Sequence, residues 1–206
     1  MSDKPKTIRL LPRAFYLPSA EDVAPKLLGK LLIHRTKEGV AGGIIVETEA
    51  YVSEGDPANH ASRGLTQRNR SMFGSPGFAY VYRLHQQHCL NVVCCPNGMA
   101  EAVLIRAVEP MIGVELMRQR RGRLELHNLA SGPGKLCQAL AITVELDGMD
   151  LAGDGNLFIC QPPTPRAFDI VTTTRIGIRS AQDLLLRFYI AGSPFVSRKS
   201  GQPTWR

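Results

Sequence analysis

The stretch Ile44–Tyr51, which reads IIVETEAY, decides both the fold and the place where chemistry can sit. It opens apolar and β-branched, the composition of a buried strand. It ends in two carboxylates, Glu47 and Glu49, with Tyr51 after them. Strand side chains alternate faces with a period of two. Glu47, Glu49 and Tyr51 are therefore expected on one face, and Val46, Thr48, Ala50 and Val52 on the other. The second set suits a core. The first is costly to bury, because a carboxylate taken out of water needs a partner or a task. Two readings follow: a half-exposed strand with its acids in solvent, or an acid–base group held beside an aromatic on a rigid element.

Working outward, Lys30–Thr36 reads as a strand, Lys37-Glu38-Gly39 as a turn and Val40–Val52 as the partner strand, an antiparallel hairpin. Upstream, Asp22 is placed to cap a short helix, with Pro25 in its first turn and Gly29 ending it. Downstream, Ser53–Pro76 has no periodicity, and so long a segment is either functional or mobile. Within it, TQRNRS (66–71) offers guanidiniums, amides and hydroxyls, the groups that hold phosphates; the plain alternative is a solvated loop.

Gly77–Leu84 reads as a strand with Phe78, Tyr80 and Tyr82 on one face, and Leu90–Cys95 as another. Pro96–Met99 is a turn into Glu101–Val108, where Leu104 and Arg106 share a face. An arginine inside such a strand is either functional or part of a structural ion pair. Pro110 is read as opening a helix to Arg121, and Ser131 as capping a second at Lys135–Ala141, where Lys135 and backbone amides offer an anion site without P-loop spacing. Strands follow at Leu157–Gln161, Thr172–Ile178 and Arg187–Ile190, with a short helix near Ala181–Leu184 and a basic loop at Gly192–Ser200. The class is α+β: an antiparallel or mixed sheet with helices packed on it.

A chain of 206 residues suits one domain, 1–206, with residues 1–5 frayed. Lys plus Arg number 25 against 18 for Asp plus Glu, a formal +7, which suits a polyanionic partner. No apolar run is long enough to span a bilayer, and no secretory signal opens the chain. Five cysteines, an odd number, point to reduced thiols in the cytosol. His85, His88, Cys89, Cys94 and Cys95 lack zinc-site spacing, GxSxG is absent, and no iron–sulfur pattern occurs, so neither metal nor cofactor is expected. What remains is the set Glu49, Tyr51, His60, Tyr80, Tyr82, Asn91 and Arg106. Aromatic walls and an amide suit a planar heterocycle, and a carboxylate with an arginine suits water activation; on a basic chain this suggests chemistry on a nucleobase flipped out of DNA.

From about Pro25 to Ser197 the sequence resembles the alkyladenine (3-methyladenine) DNA glycosylase family. The resemblance rests on APKLLGKLL (24–32), GGIIVETEAY (42–51), QRNRSMFGSPGFAYVY (67–82), AVLIRAVEP (102–110), SGPGKLCQALAI (131–142) and RFYIAGSPFVS (187–197), in that order. It implies one mixed domain with a curved antiparallel sheet and a β-hairpin that enters DNA. It also implies a monomer that acts on double-stranded DNA carrying a damaged base, cytoplasmic and nucleoid-associated, with no membrane contact. By resemblance Glu49 is the general base, and Arg106 and a backbone carbonyl near Val196 help hold the attacking water. Tyr51, His60 and Tyr82 sandwich the base, Asn91 crowds guanine's 2-amino group, and Leu104 belongs to the base-binding set. Arg68, Arg70 and Lys135 are expected at the DNA backbone. The chain departs from the family at Arg83–His88, RLHQQH: His85 falls where a tyrosine usually wedges into the duplex, and either His85 or Leu84 must take that part. The expected activity is hydrolytic excision of alkylated purines, with hypoxanthine and ethenoadenine as further substrates, leaving an abasic site in base-excision repair. The rival readings are a damaged-DNA binding protein without catalysis and an α+β enzyme for small anionic metabolites.

Overall fold

The computed structural model describes residues 9–96, 98–122 and 125–197. The fraying expected at residues 1–5, Asn97 of the expected turn and Arg198–Ser200 of the basic loop lie outside these.

The spine is β2 (Gly39–Tyr51). One of its edges pairs along its length with β5 (Glu101–Ile112). The other edge is shared by β1 (Leu31–Thr36), against Gly39–Ile44, and by β8 (Arg187–Ile190), against Glu47–Glu49. The eight-stranded sheet continues as β5 to β4 (Gln87–Cys94) to β3 (Ala79–Leu84) on one side and as β1 to β6 (Leu157–Cys160) on the other. β7 (Ile170–Thr173) extends it beyond β8. Every pairing is antiparallel. One face carries the main core: α1 (Ala20–Leu27) and α3 (Pro133–Ala139) bury Val23, Leu27 and Leu136 with Ile45, Leu90 and Ile105 of the strands. All five cysteines are free and buried. The expected α+β class, the opening hairpin and the stop at Gly29 (φ 76°) all hold.

The local differences have local causes. Ser19, not Asp22, caps α1: its hydroxyl accepts the Asp22 N–H at 3.2 Å, and Glu101 Oε2 accepts the Ala20 N–H at 2.8 Å. The helix therefore starts earlier and Pro25 sits inside it rather than in its first turn. Pro110 starts no helix. It lies in β5 opposite Gly43, beyond Glu101–Leu104, which β4 covers, and beyond Ala107–Val108, which the Ala130–Ser131 segment covers, so a missing N–H is tolerated. The helix α2 (Val114–Arg121) waits for Gly113, which turns the chain at φ 65°. Ser131 bridges to Ala107 instead of capping, and Pro133 takes the first position of α3. β7 stops at Thr173 because its partner β8 begins at Arg187; Thr174–Ile178 and Ala181–Leu184 are irregular.

At Gly43 the crossing of β2 and β5 is tight: a Cβ there would lie 2.4 Å from the Glu109 carbonyl oxygen. The obstacle is backbone and cannot swing away. Gly43→Ala is expected to lower unfolding stability by roughly 1–3 kcal/mol, read as a fall in Tm; an unchanged Tm contradicts this account of the crossing.

Candidate functional site

The period-two expectation for β2 holds from Glu47 onward and breaks just before it. The pairing with β5 shifts register between Ile45 and Glu47. This bulge puts two consecutive residues on one face. Ile45 joins the main core, whereas Val46 packs with Ala107, Tyr189 and Val196 on the opposite face, beside Glu47. Thr48 then points back to α1, donating to the Ala24 carbonyl at 2.9 Å. Val46 thus leaves the set to which alternation assigned it.

Glu47 and Glu49 are both at 0% exposure, which rules out the half-exposed strand. Arg106 stands between them: Nε donates to Glu47 Oε1 at 2.9 Å, Nη1 lies 3.2 Å from Glu49 Oε2, and Nη2 donates to Ser197 Oγ at 3.2 Å. Glu47 also accepts from Arg187 Nε at 2.8 Å, from the Ser197 N–H at 2.6 Å and from the Ser197 hydroxyl at 2.8 Å. Burial raises the Glu47 pKa, but Arg106 and Arg187 outweigh it and hold the carboxyl below its ordinary value. For Arg106 burial works downward, and Glu49 and Glu47 outweigh it and keep the guanidinium charged. Glu47 therefore anchors Arg106 and also the Val196–Ser197 segment. Glu49 accepts the Ile176 N–H at 2.7 Å on one oxygen and the Tyr51 hydroxyl at 3.0 Å on the other.

Over this cluster opens a cavity of ≈ 370 Å³, lined among others by Tyr51, His60, Tyr82, Asn91, Leu104 and Arg106, with Ile176–Ile178 along one wall. Glu49 does not itself line it; its partners Tyr51 and Arg106 do. Asn91 donates to the Tyr80 carbonyl at 3.0 Å. His60 Nδ1 lies 2.9 Å from the Tyr80 hydroxyl, and burial, then Arg68, lower its pKa. The imidazole meets Tyr82 edge-on, centroids 4.7 Å apart at 72°. Burial raises the Tyr51 pKa, and Glu49 adds to it.

Other expected residues fall at the rim. Leu84 and Gln87 are the last pair of the β3–β4 hairpin, and exposed His85, at φ 52°, forms its turn with Gln86. Arg68 is exposed and lies 5.3 Å from the Tyr82 ring centroid; Arg70 is exposed. Lys135 reaches Ser131 Oγ at 3.4 Å. Asn69, by contrast, turns inward and donates to the His60 and Gly64 carbonyls, so it builds the loop and does not face a phosphate.

Sequence reasoning passed over Arg187, Ser197 and the Arg175–Asp56 pair. Arg187 carried the same signal as Arg106, a guanidinium within a strand. A larger cavity of ≈ 760 Å³ lies elsewhere, lined among others by Leu31, Ile44, Met111, Phe168 and Phe195. Its acids and aromatics are Glu109, Asp169, Phe168 and Phe195, and none of Tyr51, His60, Tyr82, Asn91 and Arg106 lines it.

A buried acid clamped to a guanidinium lies beneath an aromatic-walled cavity on a basic chain. Residues 14–194 match methylpurine-DNA glycosylase, and the chain belongs to that family of DNA glycosylases. It is 53% identical over 193 residues to a protein of Methanoculleus marisnigri, covering 92% of this chain and 99% of that one. It is 48% identical over 191 residues to one of Carboxydothermus hydrogenoformans, covering 92% and 100%. It is 48% identical over 193 residues to one of Nitrosospira multiformis, covering 93% and 96%. All three are provisionally named 3-methyladenine DNA glycosylases. Among the described residues no helix is long and apolar enough to cross a membrane.

Because Glu47 is held below its ordinary pKa, its stabilisation is complete above the unfolded-state value, about 4.5, and is lost as pH falls through the lower folded-state value. Glu47→Gln leaves two buried guanidiniums short of a counter-charge, so a loss on the order of 3 kcal/mol is expected at pH 7. Urea unfolding from pH 7 down to 3 should show the two proteins converging in acid. A constant gap between them contradicts this role for Glu47.

Proposed function

We propose that this glycosylase swings an alkylated purine of double-stranded DNA into the ≈ 370 Å³ cavity and hydrolyses its N-glycosidic bond, leaving an abasic site. The observation that carries the reading is the placement of Glu49 Oε2 against both Arg106 and the Tyr51 hydroxyl, directly behind the cavity wall. Water held by Arg106 and the Val196 carbonyl attacks the sugar carbon and gives its proton to Glu49. The bond to the base breaks and its electron pair leaves with the base. The sugar passes through an oxocarbenium-like state, and a fixed carboxylate stabilises its positive charge. No lysine enters the step, so the enzyme is monofunctional.

Purines alkylated at N3 or N7 are cationic in DNA, and the Tyr51 and Tyr82 faces attract a cation by roughly 0.5–2 kcal/mol. His60 and Tyr82, edge-on with centroids 4.7 Å apart, act together as one wall, and the base stacks between that wall and Tyr51. Asn91 and Leu104 shape the cavity floor against groups on the base edge. The β3–β4 hairpin wedges the duplex, and Arg68, Arg70 and Lys135 lie along the DNA backbone. The protein works as a single-domain monomer on chromosomal DNA. The hairpin tip is polar apart from Leu84, so lesions that unstack easily are favoured over neutral ones such as hypoxanthine and ethenoadenine.

Two experiments test this. Wild type is expected to release base from alkylated duplexes and Glu49→Gln to release none while still binding them. The amide has nearly the carboxylate's shape but cannot take the water's proton. Equal release by both sinks the assignment, and binding without release by either favours a damage-binding protein. Leu84→Ala should slow excision by about tenfold, more than His85→Ala, since partial unstacking costs a few kcal/mol per step; the reverse order assigns the wedge to His85.

A further inference from the structure

Arg175 and Asp56 form an ion pair with both side chains at 0% exposure. Arg175 Nη1 and Nη2 donate to the two Asp56 oxygens at 2.6 Å each, and Nη1 also donates to the Ala50 carbonyl at 3.0 Å. Asp56 further accepts the Val52 and Ala58 N–H groups. Among the described residues, Arg175 Nε is buried without a hydrogen-bond partner. A buried cation with an unmet donor is a poor choice for structure alone. Its guanidinium carbon lies 4.7 Å from the Tyr51 ring centroid. Tyr51 lines the cavity and Arg175 does not, so the guanidinium covers the ring face turned away from it.

A base stacked on the near face of Tyr51 therefore has a fixed cation roughly 8 Å away through one phenol ring, a distance at which unit charges in a poorly solvated site still interact appreciably. The surrounding charges balance. Glu47, Glu49 and Asp56 face Arg106, Arg187 and Arg175. Arg68 over Tyr82 adds a cation, but it is exposed and screened by solvent. Without Asp56, the cluster behind the cavity holds one uncompensated positive charge, on the residue that backs the stacking ring.

We infer that Asp56, by neutralising Arg175 behind Tyr51, determines specificity: it keeps the cavity open to positively charged alkylated purines. The inference rests on the base-excision reading above. It makes the pair an electrostatic setting of the substrate class, beyond its part in holding the Thr174–Ile178 segment in place.

The test compares duplexes carrying 7-methylguanine, a cation, with duplexes carrying hypoxanthine, which is neutral. Single-turnover release gives the ratio of rates, and affinity for the same duplexes gives it where one rate is too slow to read. Asp56→Asn is expected to lower the cation-to-neutral ratio by about ten- to thirtyfold, the size of an unscreened like-charge contact at that distance. Arg175→Gln, which leaves Asp56 unpaired, should raise it. The double variant, neutral again, should return to within about threefold of wild type, because the two opposite charge changes cancel. A merely structural pair would depress both substrates alike and leave the ratio unmoved. An unchanged ratio in either single variant, or a double variant that does not return, overturns the inference. If Asp56→Asn does not fold, Arg175→Gln decides alone. Should wild type release neither base, it is the base-excision reading that fails; should it release them with a ratio indifferent to these residues, only this inference fails.

Discussion

Two carboxylates two residues apart on one strand repel each other and lose their water on burial, and the site of this protein exists because Arg106 lies between them. Attraction between buried charges does not by itself repay their desolvation. The remaining oxygens must be satisfied by donors, and those come from distant parts of the chain: Arg187 on β8, Ser197 after it, and the Ile176 N–H from the irregular segment after β7. The acids on β2 thereby dictate that β8 pairs with Glu47–Glu49 and that the C-terminal segment closes over Arg106. The fold around the site is organised by the need to leave no buried charge alone.

The same demand divides the sheet into two working faces. One is given to α1, α3 and an ordinary apolar core, which hold β2, β4 and β5 still. The other carries the charges and the aromatic cavity. The bulge at Val46 serves that division, because it brings Val46 under Val196 while Glu47 keeps its line to Arg106. Positions that look equivalent along the strand thus do different jobs: Glu47 builds the site, and Glu49 stands next to the cavity.

Much of this was legible in the residues. The period of two placed Glu47, Glu49 and Tyr51 on one face, and the hairpin Lys30–Val52 followed from pattern and turn alone. The long motifs pointed to the family that residues 14–194 then matched. What stayed hidden depended on partners far away in the chain. Val46 changed face through register with β5, which no local period records. Pro110 looked like a helix start because the bare edge beside it is a property of the sheet, and Ser19 took the cap from Asp22 once Glu101 held the first turn from below. Asp56 and Arg175 meet across most of the chain, and neither residue's neighbours announce the other. The edge-on contact of His60 with Tyr82 is tertiary packing that composition does not encode.

The five cysteines give the molecule a last property. Each is buried, and burial pushes each thiol's pKa upward. The thiolate, not the thiol, is the reactive nucleophile. Soft electrophiles attack ionised sulfur, and these five thiols are held in the form that reacts least.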